Sequence, residues 1–350
     1  MINVIQKVLG AGLFAAIATY IVVGCAAGVK TNLYSHQTTV QIGFGSCLAP
    51  EQPTDIFDAI NTRQPDWFLF TGDLVYGDDL ASLKKAYQNL GQDPRVATLL
   101  NSARIAATWD DGEYGLNDGG AESKIKEEAK KLFLDAIGEP QDSERRKHDA
   151  VYHAQNISVG NLNVQIILLD TRWFRSPLKR AINPGPGTER YVPDNSISKT
   201  FLGSAQWQWL EHQLLQKADL RLLVSSIQFL PNNHGFEKWA NLPAERERLL
   251  RILENTAANG VILISGDRHS GSVHRLNRKG TYPLVEFTAS SFNLVASTKG
   301  NKDSLGVGDA HYVPNFGWIK ISADGRVSIS LRGSNGEILQ SFSLWTETMK

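Results

Sequence analysis

Seven short apolar, β-branched runs recur along this chain, and each stops abruptly at small or polar residues. They cover residues 40–44, 67–70, 105–108, 164–169, 220–224, 261–264 and 284–287. Between several of them lie segments with apolar residues at i, i+3 and i+4: Ile56/Phe57/Ile60, Leu132/Phe133/Ala136, Trp207/Leu210/Leu214 and Leu249/Leu250/Ile252/Leu253. Pro243 fits the first turn of the last of these helices, and Gly260 its end. Strands alternating with helices predict an α/β fold.

The C-terminal part follows a different pattern. Residues 318–321, 327–331 and 338–344 are strand-like and are separated by Ala-Asp-Gly and Ser-Asn-Gly-Glu turns, the pattern of a β-meander. No stretch rich in Pro, Gly or Ser divides it from what precedes, so one domain is expected over residues 39–350. Residues 183–195 are turn-rich and read as a surface loop.

Four of the runs end in groups that can hold a metal, which packing does not require. The first ends in Gly45-Ser46-Cys47 and the second in Gly72-Asp73-Leu74-Val75-Tyr76. The third ends in Trp109-Asp110-Asp111, followed by Glu113, Asn117 and Asp118; the run at 261–264 ends in Gly266-Asp267-Arg268-His269. In open α/β sheets, ligands gather beyond the carboxyl ends of strands. A single Gly-Asp after a strand would read as a turn, but four such ends converge on one chemistry. Two cations held close together need a carboxylate that binds both, and Asp73 is placed for that role. Thiolate, phenolate and imidazole from Cys47, Tyr76 and His269 suit iron or zinc. Asp111, Asp267 and the amide of Asn117 suit a harder ion such as Ca²⁺, Mg²⁺ or Mn²⁺.

The N-terminus carries a different signal. Lys7 is the only charge before Lys30, and residues 9–23 form a nearly continuous apolar run, which reads as the core of a signal peptide over residues 1–24. Val22-Val23-Gly24-Cys25 resembles a bacterial lipoprotein cleavage box, so a lipidated Cys25 would tether an exported, periplasmic or cell-envelope protein through a linker at 25–38. Of the two cysteines, Cys47 is then unpaired in an oxidising compartment, where a thiol needs burial or a metal. The formal net charge is zero, which provides no global basic field for nucleic acid or anionic lipid.

Taken in order, Gly-Ser-Cys, Gly-Asp-x-x-Tyr, Trp-Asp-Asp with Tyr-Gly-x-Asn-Asp, Leu-Asp-Thr-Arg and Gly-Asp-x-His resemble the alkaline phosphatase D (PhoD-like) family of calcineurin-like metallophosphatases. The resemblance runs from about Gln41 to Gly317. It implies a four-layer α/β/β/α sandwich with two metals at one edge of the sheets. By position, Cys47, Asp73, Tyr76 and His269 would hold the first metal, ferric iron in relatives, while Asp73, Asp111 and Asp267, with Asn117, would hold the second. Arg172 resembles the family's phosphate-facing arginine. The activity implied is hydrolysis of a small phosphomonoester or phosphodiester, with a metal-bound hydroxide as nucleophile.

One position departs from the pattern. Relatives commonly have Trp-Asp-Asp-His-Asp where this chain has Trp109-Asp110-Asp111-Gly112-Glu113. The missing histidine would be the candidate to protonate the leaving oxygen. His234, in Pro231-Asn232-Asn233-His234-Gly235, is a replacement to consider. The rival readings are a phospholipase-like phosphodiesterase acting on lipid head groups and a catalytically silent metal-binding lipoprotein. Glu286 is open between a distant ligand and a structural carboxylate.

Overall fold

The computed structural model describes residues 37–297 and 302–350. The expected leader, Cys25 and all of the linker before Gln37 lie outside the described residues. In chain order the strands are β1 (Thr39–Gly45), β2 (Trp67–Thr71), β3 (Arg104–Thr108), β4 (His153–Val159), β5 (Leu162–Leu168) and β6 (Leu220–Val224), then β7 (Val261–Ser265), β8 (Gly271–Leu276), β9 (Leu284–Ala289), β10 (Asn315–Ser322), β11 (Arg326–Gly333) and β12 (Ile338–Trp345). The helices are α1 (Ile56–Thr62), α2 (Leu80–Gln92), α3 (Pro94–Ser102), α4 (Asp111–Tyr114), α5 (Lys126–Ala136), α6 (Glu144–Lys147), α7 (Gly203–Leu214) and α8 (Pro243–Asn255). No described helix is long and apolar enough to cross a membrane.

Two six-stranded sheets form, one in the order β12-β11-β10-β1-β2-β3 and the other β4-β5-β6-β7-β9-β8. In the first, β1, β2 and β3 are parallel, and the C-terminal meander joins it antiparallel through β10 against β1. In the second, β5, β6, β7 and β9 run parallel, with β4 and β8 antiparallel at the edges. Strands β4 and β8 had no counterpart among the apolar runs. The run His-Ala-Gln-Asn-Ile-Ser-Val of β4 is mostly polar and only partly buried, so it lacks the apolar signal of the central strands. Helix α8 begins at Pro243 as expected but ends at Asn255, and Gly260 instead precedes β7, its N–H donating to Met349 O at 2.8 Å.

Alternation along β2 shows how the layers stack. Successive strand residues point to opposite faces. Trp67 and Leu69 join Val40, Ile42 and Phe44 of β1 and Val164, Ile166, Leu222 and Val224 of the second sheet in one core cluster. Phe68 and Phe70 belong to another cluster, with Ile56, Phe57 and Ile60 of α1, Leu83 of α2, Leu99 of α3 and Phe133 of α5. The second sheet packs against Trp207 and Leu210 of α7 and Leu249 and Leu253 of α8 within the first cluster. The order is therefore helix, sheet, sheet, helix, the four layers expected.

Sheet closure brings the strand ends together. Thr108 Oγ1, at the end of β3, donates to Leu169 O after β5 at 2.7 Å, and Phe292 N, after β9, donates to Ser46 O after β1 at 3.1 Å. The carboxyl ends of both parallel sets thus share one edge, while the first described residue, Gln37, lies at the opposite end of β1.

Phe44 packs over Gly317, its partner on β10. A Cβ at position 317 would fall 1.9 Å from the Phe44 ring. Gly317→Ala is expected to cost about 1–3 kcal/mol through overpacking. Urea unfolding of the variant checks this; stability equal to the parent would show that the ring can move aside.

Candidate metal centre

The backbone at the strand ends is bent in an unusual way. Cys47, Asp73, Asp267 and His269 all have positive φ, at 63°, 54°, 68° and 51°. Left-handed conformations at non-glycine residues cost of order 1–3 kcal/mol each and persist where surrounding contacts over-determine them. At Asp73 those contacts are explicit. Glu113 accepts from Asp73 N at 2.8 Å, Leu74 N at 2.6 Å and Asp110 N at 2.9 Å. Leu48 N donates to Asp73 O at 2.8 Å, and Gly112 N donates to Asp73 Oδ1 at 2.9 Å.

The side chains then converge. Cys47 Sγ lies 3.2 Å from Ser46 Oγ and 3.3 Å from Ser290 Oγ, and it reaches Asp73 Oδ2 at 3.6 Å. Ser290 Oγ also accepts from His269 N at 2.8 Å, tying the last strand end to the first. Metal-binding atoms of Cys47, Asp73 and His269 lie within 4.8 Å of one another, as do those of Asp73, Asp110 and Asp111, and those of Asp111, Asp118 and Glu237. Asp73 belongs to two of these three groups. A cavity of about 740 Å³ opens above them, lined by Asp73, Tyr76, Asp111, Asn117, Asp267 and His269, with Cys47 fully buried beneath. All seven expected ligands are thus in or directly under one cavity.

Electrostatics test whether cations fit here. Burial pushes the Cys47 thiol up to about 12, against the pull of hydrogen bonds from Ser290 and Ser46. Burial, then the charges of Asp111 and Cys47, hold the Asp73 carboxyl well above its ordinary range. Burial likewise raises Asp267, with Asp110 adding to it and Arg268 opposing. Asp110 is raised to about 7 by burial in spite of Arg172, and Glu113 to about 8 by burial in spite of its three backbone donors. Asp110 Oδ2 is buried without a hydrogen-bond partner. Buried anions crowded this closely need positive charge among them, and thiolate, carboxylate and imidazole are the donors that transition metals and divalent cations take. The residues fit a metal site.

Two expected groups are not brought to the cavity. Arg172 is fully buried behind it: Nε donates to Asp110 Oδ1 at 2.5 Å, Nη2 lies 2.6 Å from Glu237 and Nη1 donates to Gly119 O at 3.3 Å. A guanidinium engaged on all sides cannot also face a substrate, so the resemblance misplaces this role. His234 sits on a neighbouring cavity, with Nε2 3.0 Å from Gln228 Oε1 and Nδ1 accepting from Phe236 N at 3.3 Å. Burial, then the cations of Arg268 and Lys238, push its imidazole well below the usual value. Placed there, it does not take the proton-donor role considered for it at the metal cavity. Glu286 is structural, accepting from Phe229 N at 2.8 Å and Leu230 N at 2.6 Å.

Gly112 is more than a missing histidine. A Cβ there would stand 2.6 Å from Val75 O, 2.8 Å from Asp73 Oδ1 and 2.9 Å from Tyr76 Cδ1. The place is closed by backbone and by two of the ligands. Three further residues build the site in roles that the sequence analysis did not assign. Glu237 pairs with Arg172 and, at 3.0 Å, with Arg175. Asp118 accepts from Arg190 at 2.7 Å and from Tyr191 at 2.8 Å. Glu113 was grouped with the potential ligands, yet it grips the backbone beneath the site. Its spacing after Asp110 is the D-x-x-E of a helix start, and that spacing is the signal that would have found it.

A family model for PhoD-like phosphatases matches residues 79–338. Alkaline phosphatase D of Bacillus subtilis (strain 168) is 30% identical over 135 residues, which are 35% of this chain and 22% of that protein. The alignment thus spans less than a quarter of the curated relative. A structure of PhoD superposes with a TM-score of 0.67 at 17% identity, covering 88% of this chain and 68% of the other. A purple acid phosphatase from yellow lupin (Lupinus luteus) seeds gives 0.60 at 12% identity, covering 89% and 54%. GAP50, the anchor in the inner membrane complex of Plasmodium, gives 0.56 at 14% identity, covering 88% and 89%. At these identities the structural likeness is one of fold.

Two outcomes follow from the charge crowding and the grip of Glu113. Acids whose folded values are raised keep protons that the unfolded chain has lost, so the metal-free protein should lose stability as pH rises from about 4 to about 8. Metal ions should therefore raise the melting temperature more at about pH 8 than at about pH 5; an equal rise would contradict this. Glu113→Ala strands three buried N–H groups, at about 1–3 kcal/mol for each left unpaired. The variant should unfold at lower urea and bind less metal, and full metal content measured by elemental analysis would count against the positioning role.

Proposed function

The chain belongs to the PhoD-like phosphatase family, and we propose that it hydrolyses phosphate esters at a two-metal centre bridged by Asp73. The observation that carries this reading is that Asp73, buried and held from both sides, is common to the thiol–imidazole group and to the carboxylate group. Cys47, Asp73, Tyr76 and His269 would hold one ion, with Fe(III) or Zn suited to sulfur and nitrogen donors. Asp73, Asp111, Asn117 and Asp267 would hold the other, with Ca²⁺, Mg²⁺ or Mn²⁺ suited to oxygen. When bound, two such ions supply an acidified water and screen the charge of a phosphoryl group.

The protein's part is to fix this geometry and to shape what enters. Glu113 and Gly112 N–H hold Asp73 in its bend. Arg172 acts as a positioning residue: it neutralises Asp110, which also accepts from Ser226 Oγ at 2.7 Å, and it fixes Glu237 at the cavity wall. Closure at Gly112 leaves no side chain there to protonate a departing oxygen. The substrates favoured are therefore esters whose alcohol leaves readily as an anion, such as aryl esters. The same closure is what favours the rival reading, a silent metal-binding protein. Full metal content with no turnover across aryl and alkyl phosphoesters would select it. The lipid head-group reading rests on the tether expected at Cys25, outside the described residues, as does the proposed export to the cell envelope.

Asp73→Asn removes the charge shared by both ions. Turnover of an aryl phosphate should fall by at least about 100-fold, with loss of bound metal. An active, metal-loaded variant would sink the bridged centre.

A further inference from the structure

Arg268 occupies the variable place in Gly266-Asp267-x-His269, between two ligands that both have positive φ. Its own N–H donates to Gly266 O at 2.9 Å, closing a tight turn. This backbone puts Asp267 and His269 on the metal cavity and Arg268 on the wall that the metal cavity shares with a second one. That second cavity, of about 330 Å³, includes Gln228, His234, Ser272, His274 and Tyr312 in its lining. The Arg268 guanidinium lies 4.3 Å from the centroid of the Phe236 ring. Stacking on a ring face holds a guanidinium in place while leaving its in-plane N–H donors directed outward.

The other arginines near the site are engaged. Arg172 and Arg175 meet Asp110 and Glu237, and Arg190, 5.7 Å from the same Phe236 ring, is paired with Asp118. Among the described residues no carboxylate comes within ion-pair distance of Arg268. It is a cation fixed beside a cavity of anionic ligands, and among the described residues its guanidinium donates no hydrogen bond. A planar fork of this kind matches two oxygens of a phosphoryl group.

We propose that Arg268, rather than Arg172, is the specificity-determining arginine of this chain, binding the nonbridging oxygens of the phosphoryl group from the wall between the two cavities. The inference rests on the phosphoester reading above, and its test does not need turnover. The probe is inorganic phosphate, titrated calorimetrically into the metal-loaded full-length protein. Arg268→Gln should weaken phosphate binding about 10- to 100-fold, and Arg268→Lys should recover only part of it, because a point charge does not replace a fork. In the same variants KM for an aryl phosphate should rise in step with the phosphate dissociation constant, with metal content unchanged. Phosphate binding within about twofold of the parent in both variants, with hydrolysis intact in the parent, would overturn the assignment and leave the function standing. A parent that binds phosphate through Arg268 but hydrolyses no ester would overturn the function and leave the assignment standing. If Arg268→Gln does not fold, Arg268→Lys decides alone: undiminished phosphate affinity refutes the proposal.

Discussion

Three backbone N–H groups, from Asp73, Leu74 and Asp110, converge on the carboxylate of Glu113. Those groups come from the ends of β2 and β3, so one buried side chain ties two strand ends into a single unit. The left-handed bend at Asp73 is unfavourable in isolation and is held by this grip together with Leu48 N and Gly112 N. Had the bend relaxed, the carboxylate of Asp73 would leave its place between the group that holds Cys47 and the group that holds Asp111. The cavity, its field and the metal reading all follow from that placement.

Around this grip the protein has arranged its charges in two tiers. The inner tier is anionic and crowded around Asp111, with Cys47, Asp73, Asp110 and Asp267 held above their ordinary proton affinities by burial and by the charges beside them. The outer tier is a buried network in which Arg172 and Arg175 join Asp110 and Glu237. Buried ion pairs of this sort contribute little net stability, because desolvation offsets most of the attraction. Their value here is orientation. They fix Asp110 and Glu237, and among the described residues Arg268 is in no ion pair with a carboxylate.

The parts legible in the sequence were those whose signal is local. The central strands announced themselves through unbroken apolar runs, because both of their faces are buried between layers. The ligands were legible because each sits three to nine residues past such a run, and the carboxyl ends of parallel strands must share an edge. Strands β4 and β8 were not legible, since an antiparallel edge strand needs few apolar residues. Arg172 was legible as a motif member and misassigned as a substrate group. Its partner Glu237 lies in a distant loop, and no spacing in the chain connects the two.

By itself, then, the sequence determined an α/β protein with seven metal-capable side chains at strand ends and glycine where relatives commonly carry histidine. Residue type and distance from a strand are properties of short segments, and short segments are what a sequence displays. Only the tertiary structure decided which charges meet. It buried Arg172 against Asp110 and Glu237, turned His234 toward Gln228, closed the space at Gly112 against Val75 O, and left Arg268 stacked on Phe236 at the cavity wall. The physical reason is range. An electrostatic or packing contact acts over a few ångströms in space, while most of the groups that make these contacts are separated by tens of residues along the chain.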